Sequence, residues 1–245
     1  MKILLLLFPF WLFFGVAALA QTPVKIEDIA ASIRDGAYVG ETFYFAADDG
    51  LTGTELWKTD GTQAGTVRIK DIYTGGNTTS SNPHLFFSYK DEVYFLARKQ
   101  AGTLYQLYKT NGTPGGTKLV TDKLGTGYGR IKSWFIYKEK LYFYLAPGFS
   151  DVLWVTDGTN EGTMQVTGLG SYVNSWALMN NKVYFSLSSS DYTGLVEFDG
   201  TTVKKIKSFS SLSENMVVQN NTLYFSADDG TYGKELWKSD GTVSG

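Results

Sequence analysis

Hydrophobic and polar positions alternate along the chain in short runs. Five of these runs end in phenylalanine: Phe43-Tyr44-Phe45, Val93-Tyr94-Phe95, Leu141-Tyr142-Phe143, Val183-Tyr184-Phe185 and Leu223-Tyr224-Phe225. The final Phe recurs at intervals of 50, 48, 42 and 40 residues. Each run is followed by a version of one octapeptide. It stands complete as Glu55-Leu56-Trp57-Lys58-Thr59-Asp60-Gly61-Thr62 and again as Glu235 to Thr242. Between them it decays through Leu107 to Thr113 and Leu153 to Thr159, and it is weakest at Val196 to Thr201. Internal repetition at this spacing has to be read before any single residue.

Four strands fit each unit. In the second they are Leu85 to Tyr89, Val93 to Ala97, Leu104 to Lys109 and Lys118 to Thr121. Short polar loops join the first two strands: Lys90-Asp91-Glu92, Asn180-Asn181 and Asn220-Asn221. Asn tolerates the left-handed backbone that tight hairpins need. Asp-Gly-Thr marks a second tight turn between the third and fourth strands. Only Ile26 to Ile33 carries a helix-like pattern. A unit of ~40–50 residues with four short strands is a propeller blade. The expectation is therefore an all-β chain: a β-propeller of four-stranded antiparallel blades at about 30–72, 83–122, 131–169, 173–209 and 213–245. Residues 21–29 resemble the fourth strand near Gly65 to Ile72 and are expected to complete the last blade, closing a five-bladed ring. The alternative is a fragment of a longer propeller.

The first twenty residues stand outside this pattern. Lys2, the apolar run Ile3 to Ala17 and the small-residue site Ala18-Leu19-Ala20 predict a secretory signal peptide over 1–20 and a repeat domain over 21–245. The run is shorter than the ~18 residues of a spanning helix. The expected location is secreted or cell-surface, with no transmembrane segment after cleavage. Without Lys2 the chain has 21 basic and 24 acidic residues, a net charge of −3. That balance excludes a nucleic-acid partner, which needs a basic face. The absence of Cys excludes disulfides and thiol catalysis.

The octapeptide resembles the ELWxxDGT repeat (hyalin-type) family of secreted bacterial proteins, found mainly in Bacteroidetes. The match is full at Glu55 to Thr62 and Glu235 to Thr242, good at Leu153 to Thr159, and looser where Tyr108 and Asn111 replace Trp and Asp. The resemblance covers residues 22–245. It implies an exported propeller-like repeat protein, often surface-displayed.

Features common to all blades are read as framework, and features that differ at equivalent positions as candidates for function. Trp57, Trp154 and Trp237, with Tyr108 and Phe198 assigned to the same place, are expected to pack between blades. Asp60, Asp157, Asp199 and Asp240 are expected to bond their own turns. Glu55 and Glu235 are placed at solvated strand ends. Asp48, Asp49, Asp228 and Asp229 form the paired carboxylates of two Gly loops and are weak candidates for Ca²⁺; no other cofactor is expected.

Eleven residues before each anchoring Phe, at the entry to the innermost strand, stand Arg34, His84, Lys132, Asn174 and Glu214. All are polar and all differ, as a ligand-orienting ring at one channel mouth requires. Trp134 and Trp176 lie two residues further on. Glu214 and Asp35 are the weak catalytic candidates, since glycoside hydrolysis needs two carboxylates about 5–10 Å apart. The leading reading is an exported, non-catalytic and monomeric binding or adhesion module for a polysaccharide or surface protein. A propeller glycoside hydrolase or lyase, and a structural spacer of a longer surface protein, are the alternatives.

Overall fold

A computed structural model describes residues 35–74, 79–126, 130–146, 152–169, 172–189 and 191–245. The expected signal peptide, the helix-like stretch, the proposed closing strand 21–29 and Arg34 lie outside the described residues. Nineteen strands and no helix are found among those described.

Blade one contains β1 (Gly36–Val39), β2 (Thr42–Asp48), β3 (Thr54–Thr59) and β4 (Val67–Lys70). Blade two contains β5 (His84–Tyr89), β6 (Glu92–Ala97), β7 (Tyr105–Thr110) and β8 (Lys118–Thr126). Blade three contains β9 (Arg130–Tyr137), β10 (Lys140–Ala146), β11 (Val152–Thr156) and the two-residue β12 (Met164–Gln165). Blade four contains β13 (Tyr172–Met179), β14 (Lys182–Ser188), β15 (Thr193–Phe198) and β16 (Val203–Ser208). Blade five contains β17 (Ser211–Gln219), β18 (Thr222–Asp228) and β19 (Lys234–Ser239). Each blade is a separate antiparallel sheet with its strands in chain order, four strands in the first four and three described in the fifth. This is the expected β-propeller architecture of antiparallel blades.

The turns follow from local chemistry. Asn180-Asn181 and Asn220-Asn221 both hold positive φ at two successive residues, as do Lys90-Asp91 and Lys138-Glu139. Two successive left-handed residues twist the chain in the sense that antiparallel neighbours need. At the second turn Asp60 Oδ1 accepts from the Thr62 amide and hydroxyl at 2.9 and 2.7 Å. Asp157 does the same with Thr159, and Asn111 with Thr113. Gly61, Gly112, Gly158, Gly200 and Gly241 take positive φ there, where a side chain would be strained. The motif runs further than Asp-Gly-Thr. A Cβ on Gly65, Gly116 or Gly162 would overlap the Asp60, Asn111 or Asp157 side chain. The next residue, Thr66, Thr117 or Thr163, bonds through its hydroxyl to Thr59, Thr110 or Thr156 at 2.7–2.8 Å.

Packing runs from blade to blade. One core cluster joins blades one and two, including Tyr44, Leu56, Val93, Phe95 and Tyr108. A second joins blades two and three through Leu107, Leu141 and Phe143, and Trp154 packs against it. The third and fourth join blades three to four and four to five, with Trp237 against the last. The expected inter-blade role holds for Tyr108, Trp154 and Trp237. Trp57 is buried with Phe45 and Ala47 in a blade-one cluster. Phe198 requires a correction. The residue opposite the anchoring Phe is Trp57, Tyr108, Trp154, Val196 or Trp237, so Val196 holds the Trp position. Phe198 pairs with Val183, two residues further along, and fills the seam between blades three and four.

Glu55 is a second correction. It is fully buried rather than solvated. Its carboxylate accepts from the amides of Ile72 and Ser81 at 2.9 and 2.8 Å and from the Ser81 hydroxyl at 2.6 Å. It therefore fastens both ends of the connection from blade one to blade two. Burial pushes its carboxyl above the usual carboxylate range, against those hydrogen bonds. Glu235 in the matching octapeptide is exposed, as expected.

Candidate functional site

The first strand of each blade is the innermost. β1 contacts β5 and β13 contacts β17. The rings of Phe87 and Trp134 join β5 to β9 at 6.0 Å, and those of Phe135 and Trp176 join β9 to β13 at 4.7 Å. These strands carry the predicted polar ring, and they share an irregularity. The register of β5 against β6 shifts between His84 and Phe87. In β9 the shift falls between Ile131 and Trp134, in β13 between Val173 and Ser175, and in β17 between Leu212 and Met216. His84 borders its shift, and Lys132, Asn174 and Glu214 lie within theirs. A bulge releases residues from the ladder, bends the strand and re-aims side chains.

His84 is half-buried, with Nδ1 2.9 Å from the Asn82 carbonyl and its ring edge-on to Tyr105 at 4.3 Å. Asn174 is exposed. The backbones of Lys132 and Glu214 are placed in their bulges, while their side chains lie outside the described residues. Trp134 is 40% exposed although it packs on Phe87, whereas Trp176 is half-buried against Phe135. The exposed groups among these are thus the Asn174 amide and the partly open Trp134 indole, while the His84 ring is engaged by Asn82 and Tyr105. Such a set can hydrogen-bond and stack on a neutral polar ligand.

Asp35 belongs to the framework. Its Oδ2 accepts from the Phe86 amide across the seam between blades one and two at 3.1 Å. Ser175 Oγ accepts from Met216 at the equivalent seam between blades four and five, also at 3.1 Å. The residue one place after the ring position in one blade thus ties the residue two places after it in the next. Asp35 therefore fastens a seam through a contact whose counterpart recurs at Ser175.

The acidic loops are turn devices as well. Asp48 accepts from Gly50, and Asp49 accepts from the amides of Leu51 and Thr52 and pairs with Arg68 at 3.0 Å. Asp228 and Asp229 accept from Gly230 and Thr231. Arg68 already places a positive charge beside Asp49. Among the described residues no group of three or more His, Asp or Glu side chains converges as a metal site. No helix among the described residues is long and apolar enough to cross a membrane.

No family model matches the chain, and no curated protein matches it. Solved structures of similar shape include a puromycin hydrolase mutant complexed with PGG, at 11% identity and TM-score 0.44, covering 82% of this chain and 34% of that one. TolB from Acinetobacter baumannii is 13% identical with TM-score 0.41, over 85% of this chain and 54% of its own. The β-propeller domain of the Trilobed protease from Pyrococcus furiosus, described as having an open velcro topology, is 11% identical with TM-score 0.36, over 87% and 83%. The chain spans about a third of the length of the puromycin hydrolase and about half that of TolB. At these identities the likeness is one of shape and brings no activity with it.

Proposed function

We propose that the chain is an exported, non-catalytic binding module of the ELWxxDGT repeat kind. It takes a polysaccharide or a protein partner at the cell surface through the mouth formed by its inner strands. One observation carries the reading. A register shift recurs near the start of the first strand in blades two to five, with one extra residue in blades two to four and two in blade five, yet His84, Lys132, Asn174 and Glu214 at or within it are four different polar residues. A recurring irregularity with a variable side chain is what a ligand needs when it meets each blade once. The engagement of Asp35 in a seam weighs against a paired-carboxylate hydrolase.

The test is a polysaccharide panel offered to the purified exported chain, reading both retention and release of reducing ends. Retention without release is the expected result. Release of reducing ends overturns the non-catalytic reading in favour of the hydrolase or lyase.

A further inference from the structure

The connection between the second and third strands changes charge from blade to blade. Three and four places after the anchoring Phe stand Asp48-Asp49 in blade one and Asp228-Asp229 in blade five. Blade two has Arg98-Lys99 at the same two places, and no acidic residue follows before β7. Blades three and four are neutral there, with Ala146-Pro147 and Ser188-Ser189. The acidic pairs serve their own loops, since Asp48 and Asp228 accept from the amides of Gly50 and Gly230. Arg98 makes no such bond.

Arg98 is held in place but not neutralised. Its amide donates to the Ser81 carbonyl at 3.0 Å, which fixes its backbone. Its guanidinium lies over the Tyr105 ring, 5.6 Å from the centroid. Tyr105 is buried, and His84 meets the same ring edge-on at 4.3 Å. The guanidinium therefore sits beside the inner-strand entry of blade two. Arg98 is half-buried, and its Nε is buried with no hydrogen-bond partner. Among the described residues no carboxylate pairs with it, whereas Arg68 pairs with Asp49. Glu55, the carboxylate that grips Ser81, bonds Ile72 and Ser81 instead. A half-buried cation without a counter-charge carries a desolvation cost that its own chain leaves unmet. An aromatic shelf under the planar fork orients it for a carboxylate.

We propose that Arg98, with Lys99 beside it, forms an anion subsite at the blade-two edge of the inner-strand mouth, and that the ligand there is a polysaccharide bearing uronic-acid carboxylates. The inference rests on the binding role proposed above for that mouth and narrows its ligand. The Asn174 amide and the Trp134 indole suit the hydroxyls and the apolar ring face of a sugar, and the terminal N–H groups of Arg98 suit its carboxylate. That indole on the same inner surface favours a sugar ring over an acidic peptide. Acidic residues outnumber basic ones in the chain, so the attraction is local to this subsite.

Affinity electrophoresis of the purified exported chain tests this with polygalacturonate and alginate, each beside the same polymer after carboxyl reduction. The parent should bind the acidic polymers at least tenfold more tightly than the reduced ones. Arg98→Ala, checked for an unchanged melting temperature, should lose roughly tenfold in affinity for them, as loss of a charge-assisted hydrogen bond does. Arg98→Lys keeps the charge and the stem without the fork and should recover part of that loss. The comparison of polymers on the parent chain needs no variant, so it decides the matter even where Arg98→Ala destabilises the fold. No retention by either uronate polymer overturns the proposal. So does equal retention by acidic and reduced polymers, an Arg98→Ala that binds like the parent, or tighter binding of poly-glutamate, which would make the ligand an acidic protein. In those cases retention by a neutral polysaccharide that Asn174→Ala abolishes leaves the wider role of the mouth standing. Silence with acidic and neutral polymers alike removes both.

Discussion

The Asp-Gly-Thr turns recur in all five blades and the bulged entries of the inner strands in blades two to five, and they treat sequence in opposite ways. At the turns, Asp60, Asn111 and Asp157 make the same two bonds to the threonine two residues on, and a glycine five residues on leaves room for each side chain. Geometry and residue type are both kept. At the bulges the irregular pairing is kept while His84, Lys132, Asn174 and Glu214 share nothing but polarity. Where the chain repeats both, the physical demand is internal to the fold. Where it repeats only the backbone, the side chain is free to answer to something outside it.

That contrast can be broken at several points. The largest effect should come from the seams. Phe143 is fully buried between blades two and three, and Phe143→Ala should cost about 3–5 kcal/mol in urea unfolding through the transfer and cavity terms. Glu55→Ala comes next. It strands three buried donors and should cost about 2–3 kcal/mol, whereas exposed Glu235→Ala should stay within about 0.5 kcal/mol. The raised carboxyl of Glu55 contributes stability below its unfolded pKa and loses it as pH rises through the folded value. The deficit of Glu55→Ala should therefore widen as the medium is acidified.

Smaller effects belong to single turns. Gly162→Ala pushes a methyl group into the Asp157 carboxylate and should cost about 1–3 kcal/mol by the same unfolding assay. The turn carboxylates respond to acid in the opposite sense to Glu55. The threonine hydroxyls and amides that bond Asp60 and Asp157 hold these carboxyls below their usual range, and the amides of Thr202 and Thr201 do so most strongly for Asp199. Their contribution is present above the unfolded value of about 3.9 and lost as pH falls through the folded one. Asn111 makes the same bonds without titrating. Asp157→Asn should accordingly melt like the parent at neutral pH and lose less of its melting temperature than the parent below about pH 4.

Much of the framework was legible in the sequence. The period, the strand order, the Asn-Asn hairpins and the Asp-Gly-Thr turn all rest on local chemistry, and local chemistry shows in a string of residues. The glycine and threonine after the turn, as in Gly65-Thr66 and Gly162-Thr163, are equally visible at their fixed spacing. Phe198 shares only aromatic character with the Trp position, whereas counting back from Asp199 places Val196 opposite Phe185. Glu55 and Asp35 were not legible at all. Their partners, Ser81 and Phe86, lie 26 and 51 residues away and come near only when one blade stacks on the next. The candidate ring was found by position, but the bulges that set it apart exist only in the pairing of strands.

The most direct test sets one residue from each region side by side. Polysaccharide retention and melting temperature would be measured for the parent chain, for Asn174→Ala at the exposed bulge and for Glu55→Ala in the framework. Asn174→Ala is expected to stay within the ~0.5 kcal/mol of an ordinary surface change and to lose retention. Glu55→Ala should melt earlier and retain ligand wherever it remains folded. Retention that is unaffected by Asn174→Ala but tracks stability in Glu55→Ala would contradict a ligand site at the inner-strand mouth.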